Sequence, residues 1–211
     1  MYKGQAWLTL GIWAVLLLFG LDALITGQLS LAFISFATLG LAMAPAYIAK
    51  WAEIHVPRGF IAATTVFVGM TLFLGEVHDF YDKYWWWDMV LHFGSAVGFG
   101  MIGFVLVFMM FQGDRYSAPP VAISFFGFCF ALSVGALWEI FEYGMDQTFG
   151  MNMQKSGLPD TMKDLMVDTV GALIGASFGF AYLKKQRLGS LTSAIHDFVK
   201  NNPRYFRRFR K

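Results

Sequence analysis

Residues Asp160 to Leu183 read DTMKDLMVDTVGALIGASFGFAYL. About 20 mostly apolar residues are enough for an α-helix to cross a bilayer, and this stretch is that long. Asp160, Asp164 and Asp168 recur every four residues, and Gly171, Gly175 and Gly179 continue the same line. On a helix, residues four apart share one stripe. Small residues at that spacing let a neighbouring helix approach closely, so the stripe with the aspartates faces protein, not lipid. The stretch reads as a membrane-spanning helix inside a bundle.

Five further apolar runs accompany it: Ala6–Thr26, Leu29–Ala49, Gly59–Val77, Trp86–Phe111 and Pro119–Tyr143. None alternates with the period of two that a transmembrane strand needs. The expected fold is therefore all-α, a polytopic bundle of six transmembrane helices. Residues 1–187 are expected to form one transmembrane domain and 188–211 a basic cytoplasmic tail. The composition agrees: 57% of the 211 residues are hydrophobic and 14% charged, against about 25% charged in soluble domains. No polar stretch is long enough for a separate soluble domain. The first run lacks a small-residue cleavage site and reads as a retained helix. The single cysteine, Cys129, leaves no intramolecular disulfide to expect.

Thirteen of the sixteen Lys and Arg fall on the side that holds both termini, including Lys3, Lys50, Arg58, Arg115 and nine residues after Leu183. Lys83, Lys155 and Lys163 fall on the other. The positive-inside rule then makes both termini cytoplasmic, as expected of a bacterial inner-membrane protein. The tail ends PRYFRRFRK, with aromatic and basic residues alternating. Anionic lipid is its expected partner beyond the bilayer itself, against the plainer reading of a topology signal on a solvated tail; no nucleic-acid partner is expected.

The acids are distributed the opposite way. Ten of fourteen lie where the third to sixth spans meet the outer side: Glu76, Asp79, Asp82, Asp88, Glu139, Glu142, Asp146, Asp160, Asp164 and Asp168. Glu139, Glu142 and Asp146 follow i, i+3, i+7 spacing on one narrow stripe, and Asp88 and His92 are one turn apart. A charge in hydrocarbon costs roughly 2.5–3.5 kcal/mol on insertion scales, and the nearest intramembrane cation is Lys163. Bound metal or shared protons would supply the compensation. Carboxylates with an imidazole suit Mg, Mn, Zn or Fe. The expected ligands are His92, Glu139, Glu142, Asp146, Asp164 and Asp168, with Asp88 orienting His92 or acting as base and the Asp88–His92 pair as the catalytic candidates. Glu76, His78, Asp79 and Asp160 are outer-rim candidates. A metal there could hydrolyse or transfer a lipid-linked group. The alternatives are a proton- or cation-coupled transporter and a polar cluster that only fixes helix register.

Three strings carry a resemblance: YWWWD with LHF (84–93), WEIFEY with Asp146 (138–146), and DxxxDxxxDxxGAxxG (160–175). Together they resemble the YjdF-like family of predicted bacterial inner-membrane proteins and, more distantly in the last helix, the VanZ-like group. The resemblance covers the third to sixth spans and implies a membrane location and helical fold, without implying a reaction.

Overall fold

The computed structural model describes residues 6–111, 118–185 and 189–206. Lys3, Asp114, Arg115, Arg187 and the basic end of the tail, 207–211, lie outside the described residues. Within them the structure is helical throughout: α1 (Trp7–Ile25), α2 (Leu29–Trp51), α3 (Arg58–Val68) with a π-helical continuation (Gly69–Val77), α4 (Phe80–Lys83), α5 (Trp87–Met110), α6 (Pro120–Phe149), α7 (Leu158–Leu183) and α8 (Gly189–Asn201). The described residues hold six helices long and apolar enough to cross a membrane, the third being α3 with its continuation. The two largest boundary differences are the six-residue extension of α6 past Tyr143 and the change to π-helical winding at Gly69. The first follows from the polar end of α6, where a hydropathy reading has least purchase; the second lies inside the third span, whose ends are Arg58 and Val77.

The chain divides into two compact units, Met1–Trp87 and Asp88–Lys211. In the first, Gly27 turns the chain from α1 to α2 at φ 75°, a conformation glycine adopts without steric cost. Trp13, Ala42, Ala46 and Ile61 form its core. Thr65 Oγ1 donates to the Ala42 carbonyl at 3.4 Å and ties α3 to α2.

In the second unit α5 is gripped by α6 and α7. A Cβ built on Gly175 would lie 2.3 Å from the Val97 carbonyl oxygen, and one on Gly127 would lie 2.7 Å from the Phe104 backbone nitrogen. Only glycine admits such backbone approach. The glycine stripe of α7 therefore faces α5, as its spacing implies, and it carries Asp164 and Asp168 inward with it, each 1% exposed. Below these seams Phe104, Phe108, Ile123, Tyr182 and Leu183 form a core that also takes in Ile195, Val199 and Phe206. The last three belong to α8 and the turn after it, a helix that the sequence reading treated only as tail.

Candidate functional site

Three helices of the second unit bring acids onto one imidazole. Asp88 and His92 stand one turn apart on α5, and Asp88 Oδ1 is 3.7 Å from His92 Nε2. Glu139, on α6, places Oε1 3.8 Å from the same nitrogen. Asp168, on α7, takes the other side of the ring, both oxygens lying 3.3 Å from Nδ1. Asp164, one turn above Asp168, completes a group with Asp88 and His92 in which one ligand atom from each lies within 4.8 Å of the others. His92 is 8% exposed, Glu139 4% and Asp164 1%.

Partners are missing at the centre of this group. Both carboxylate oxygens of Glu139 and Oδ1 of Asp164 are buried without a hydrogen-bond partner. Buried polar atoms are nearly always satisfied, and a buried carboxylate left short of partners costs several kcal/mol. Lys163, the nearby lysine, bonds Asp160 Oδ1 at 2.7 Å and not the oxygens of Glu139 or Asp164. Among the described residues, His92 is the basic side chain that pairs with Glu139 and Asp168.

The two ring nitrogens have different surroundings. A carboxylate accepts and does not donate when ionised, so an ionised Asp168 calls for the tautomer with a proton on Nδ1. Nε2 is then the nitrogen turned toward Asp88 and Glu139. From sequence, Asp168 is expected as a ligand and Asp88 as the residue orienting His92 or acting as base; here Asp168 lies beside Nδ1 and Asp88 beside Nε2. A carboxylate holding the far nitrogen of a metal-binding histidine is a recurrent arrangement. A donor set of one imidazole nitrogen and carboxylate oxygens from Asp88 and Asp164, with Glu139 beside it at 3.8 Å from Nε2, suits a divalent cation such as Mn, Fe, Zn or Mg.

Gly135 makes the arrangement possible. It lies one turn before Glu139 on the same side of α6, and a Cβ there would fall 2.2 Å from Asp168 Oδ2. The sequence reading passed over this residue; its four-residue offset from Glu139 was the available signal.

Other expected residues lie elsewhere. Glu142 is half-buried, and its Oε1 accepts the indole N–H of Trp138 at 2.9 Å. Three residues leave it about 60° around the helix from Glu139, enough to turn it to the edge of the buried sector. Asp146 accepts the backbone N–H groups of Met153 (2.7 Å) and Gln154 (3.0 Å). The Gln154 side chain donates to Thr161 Oγ1 at 2.5 Å. Asp146 thus fastens the α6–α7 connection, with both its oxygens engaged there. Glu76, His78 and Asp79 belong to the first unit. There Lys83 donates to the His78 carbonyl at 2.6 Å and lies 3.8 Å from Asp79.

Asp146→Ala is expected to leave metal content unchanged and to loosen residues 150–157, because two N–H groups lose a charged acceptor worth about 1.5–3 kcal/mol each. Limited proteolysis of the connection reads this directly. Loss of bound metal with the connection still protected would return Asp146 to the ligand set.

An "Uncharacterized protein" of Thermotoga maritima is 29% identical over 116 residues, which is 53% of this chain and 56% of that protein. The match thus spans little more than half of the relative's length. No solved structure matches. Residues 5–185 match the family described as Predicted membrane protein (DUF2238). The match takes in all six long apolar helices and the whole carboxylate–histidine group, and the chain belongs to that family.

Proposed function

We propose that the protein is a metal-dependent membrane hydrolase or transferase acting on a lipid-linked phosphoryl or acyl group. The observation that carries this reading is the set of oxygens of Glu139 and Asp164 buried without a hydrogen-bond partner beside a histidine whose other nitrogen is already held. In this reading Nε2 of His92 with Asp88, Glu139 and Asp164 holds the cation, and Asp168 fixes the ring. The cation would polarise the substrate and lower the pKa of a water. Asp88, with its side chain 30% exposed against 4% for Glu139, is the ligand nearest solvent and the one to receive the proton of that water. Water then adds across the P–O or acyl C–O bond, and the lipid alcohol leaves.

Protein purified in detergent after growth with Mn, Fe, Zn or Mg should carry about one divalent ion per chain, by the single donor set described. With membrane lipid as substrate, it should release a water-soluble product that a chelator suppresses. Metal-free protein that carries ions across liposome membranes would replace this reading with transport. The glycine-seated contacts of α5 with α6 and α7 weigh against that outcome, because alternating access needs one group of helices to rock against another.

The same reading places residues 1–187 as one domain in a bacterial inner membrane, 188–211 as its basic appendage, and both termini in the cytoplasm, on the strength of the Lys and Arg distribution. Reporter fusions after Lys50, Tyr84, Gly113 and Asn152 should alternate cytoplasmic, external, cytoplasmic, external; a cytoplasmic signal at Asn152 would sink the orientation. The strings at 84–93, 138–146 and 160–175 support the kinship with YjdF-like and VanZ-like proteins, which stands as part of this proposal.

A further inference from the structure

The C-terminal helix α8 has a buried side, and the bundle holds it at one level. Thr192, Ile195 and Val199 are buried along one face. Ile195 and Val199 join Phe104 and Phe108 of α5 and Tyr182 and Leu183 of α7 in one core, which Phe206 closes after the helix. Phe108 is two residues from the end of α5, and Leu183 is the last residue of α7. The helix therefore sits where two spanning helices end, at the level at which apolar chain gives way to head groups. Its other sectors are of two kinds. Leu191, exposed, and Phe198, half-buried, flank the docked face; Ser193, Asp197 and Lys200 lie on the opposite side, exposed.

The charge around the helix is one-sided. Lys184 and Lys185 precede it, Lys200 lies in its last turn and Arg204 follows it, all exposed. Asp197 is the single acidic residue from 184 to 206. Thirteen residues of helix measure about 20 Å, so basic groups stand at both ends of a rod as long as several head groups.

We propose that α8 is an interfacial helix that binds anionic lipid head groups through Lys184, Lys185, Lys200 and Arg204. Phe198 packs against the bundle core, Leu191 faces the acyl boundary and the Ser193–Asp197 side faces water, the division of faces expected of a helix lying in the interface plane. The occupant is a phospholipid because the cations stand at the membrane boundary, where lipid phosphates form a continuous anionic layer. This inference is independent of the metal reading.

The test uses the full chain in detergent micelles. Native mass spectrometry compares retained phosphatidylglycerol with retained phosphatidylcholine for the wild type and for the variant Lys184→Gln, Lys185→Gln, Lys200→Gln, Arg204→Gln. These exposed changes spare the Ile195–Val199–Phe206 core, and the thermal midpoint of the variant checks that the fold is kept. Each basic residue near an anionic surface contributes roughly fivefold. The wild type should prefer phosphatidylglycerol by about tenfold or more, and the folded variant should fall to near parity. Equal retention of the two lipids by the wild type would overturn the proposal. So would an undiminished preference in the variant. If the variant proves unstable, raising the salt on wild-type protein gives the same reading: the preference should fall, since surface charge attraction is screened, and a salt-independent preference would overturn it.

Discussion

Asp164→Asn is expected to take bound divalent metal from about one equivalent per chain to near none, with membrane insertion unchanged and thermal stability no lower. The amide keeps the shape of the side chain and removes its anionic charge. Asp164 is 1% exposed, and its Oδ1 has no hydrogen-bond partner, so the wild type carries an uncompensated group that a neutral amide relieves. Changes to groups that merely support a metal ligand lower affinity about 10–100-fold, and loss of a ligand should exceed that range. Glu139→Gln should behave alike, because both its oxygens are in the same condition. Elemental analysis of wild type beside variant decides the matter. A wild type that holds no metal even after supplementation sinks the metal reading. The variants would then be tolerated or stabilised, as replacement of buried ions often is, and the cluster would be a relay or a scaffold.

Gly135→Ala should weaken metal binding by about 10–100-fold without touching a ligand. The new methyl group would stand 2.2 Å from Asp168 Oδ2, so that carboxylate must leave its position 3.3 Å from His92 Nδ1. With Nδ1 unheld, the ring loses its fixed tautomer and orientation. Alanine is the better helix former by about 1 kcal/mol, so weakening of α6 does not explain such a loss. The double variant with Asp168→Asn identifies the route. If Gly135 acts through Asp168, the two changes together should cost little more than either alone, since residues in contact fail to add. Full additivity, or a Gly135→Ala protein with wild-type affinity measured by metal titration, would remove Gly135 from the site.

Helical azimuth explains what the sequence disclosed. Six long apolar runs appear as six long helices, and the Asp160–Asp164–Asp168 line faces inward with Gly171 and Gly175, because four-residue spacing keeps a side chain over its own stripe. Azimuth does not say which neighbour a stripe meets. The rotation of α5 against α7 decides which ring nitrogen of His92 each carboxylate meets, Asp168 lying beside Nδ1 and Asp88 beside Nε2. Glu142 and Asp146 share a stripe with Glu139 to within about 60°, yet the first is half-buried and bonded to Trp138, and the second stands where the helix has reached its polar connection. Gly135 escaped notice because its part is played by an absent side chain. The helix α8 was concealed by composition: Thr192, Ile195 and Val199 have helical spacing, but the surrounding Lys and Arg read as an appendage.

The acids of α7 also bear on how the protein enters its membrane. This helix is the least apolar of the six spans, and its N-terminal half holds three aspartates and a lysine. Carboxylates set deep in an isolated helix cost roughly 2.5–3.5 kcal/mol each at the insertion machinery, against which the glycine-rich remainder of α7 offers little hydrophobic gain. Lys163 of α7 itself pairs with Asp160, whereas the partner of Asp168 comes from elsewhere: His92 arrives with α5, and Gly135, which seats Asp168, arrives with α6. Synthesis delivers both before α7. The last span is therefore expected to partition less readily alone than when α5 and α6 can receive it, so that closing the buried cluster and integrating α7 would be coupled.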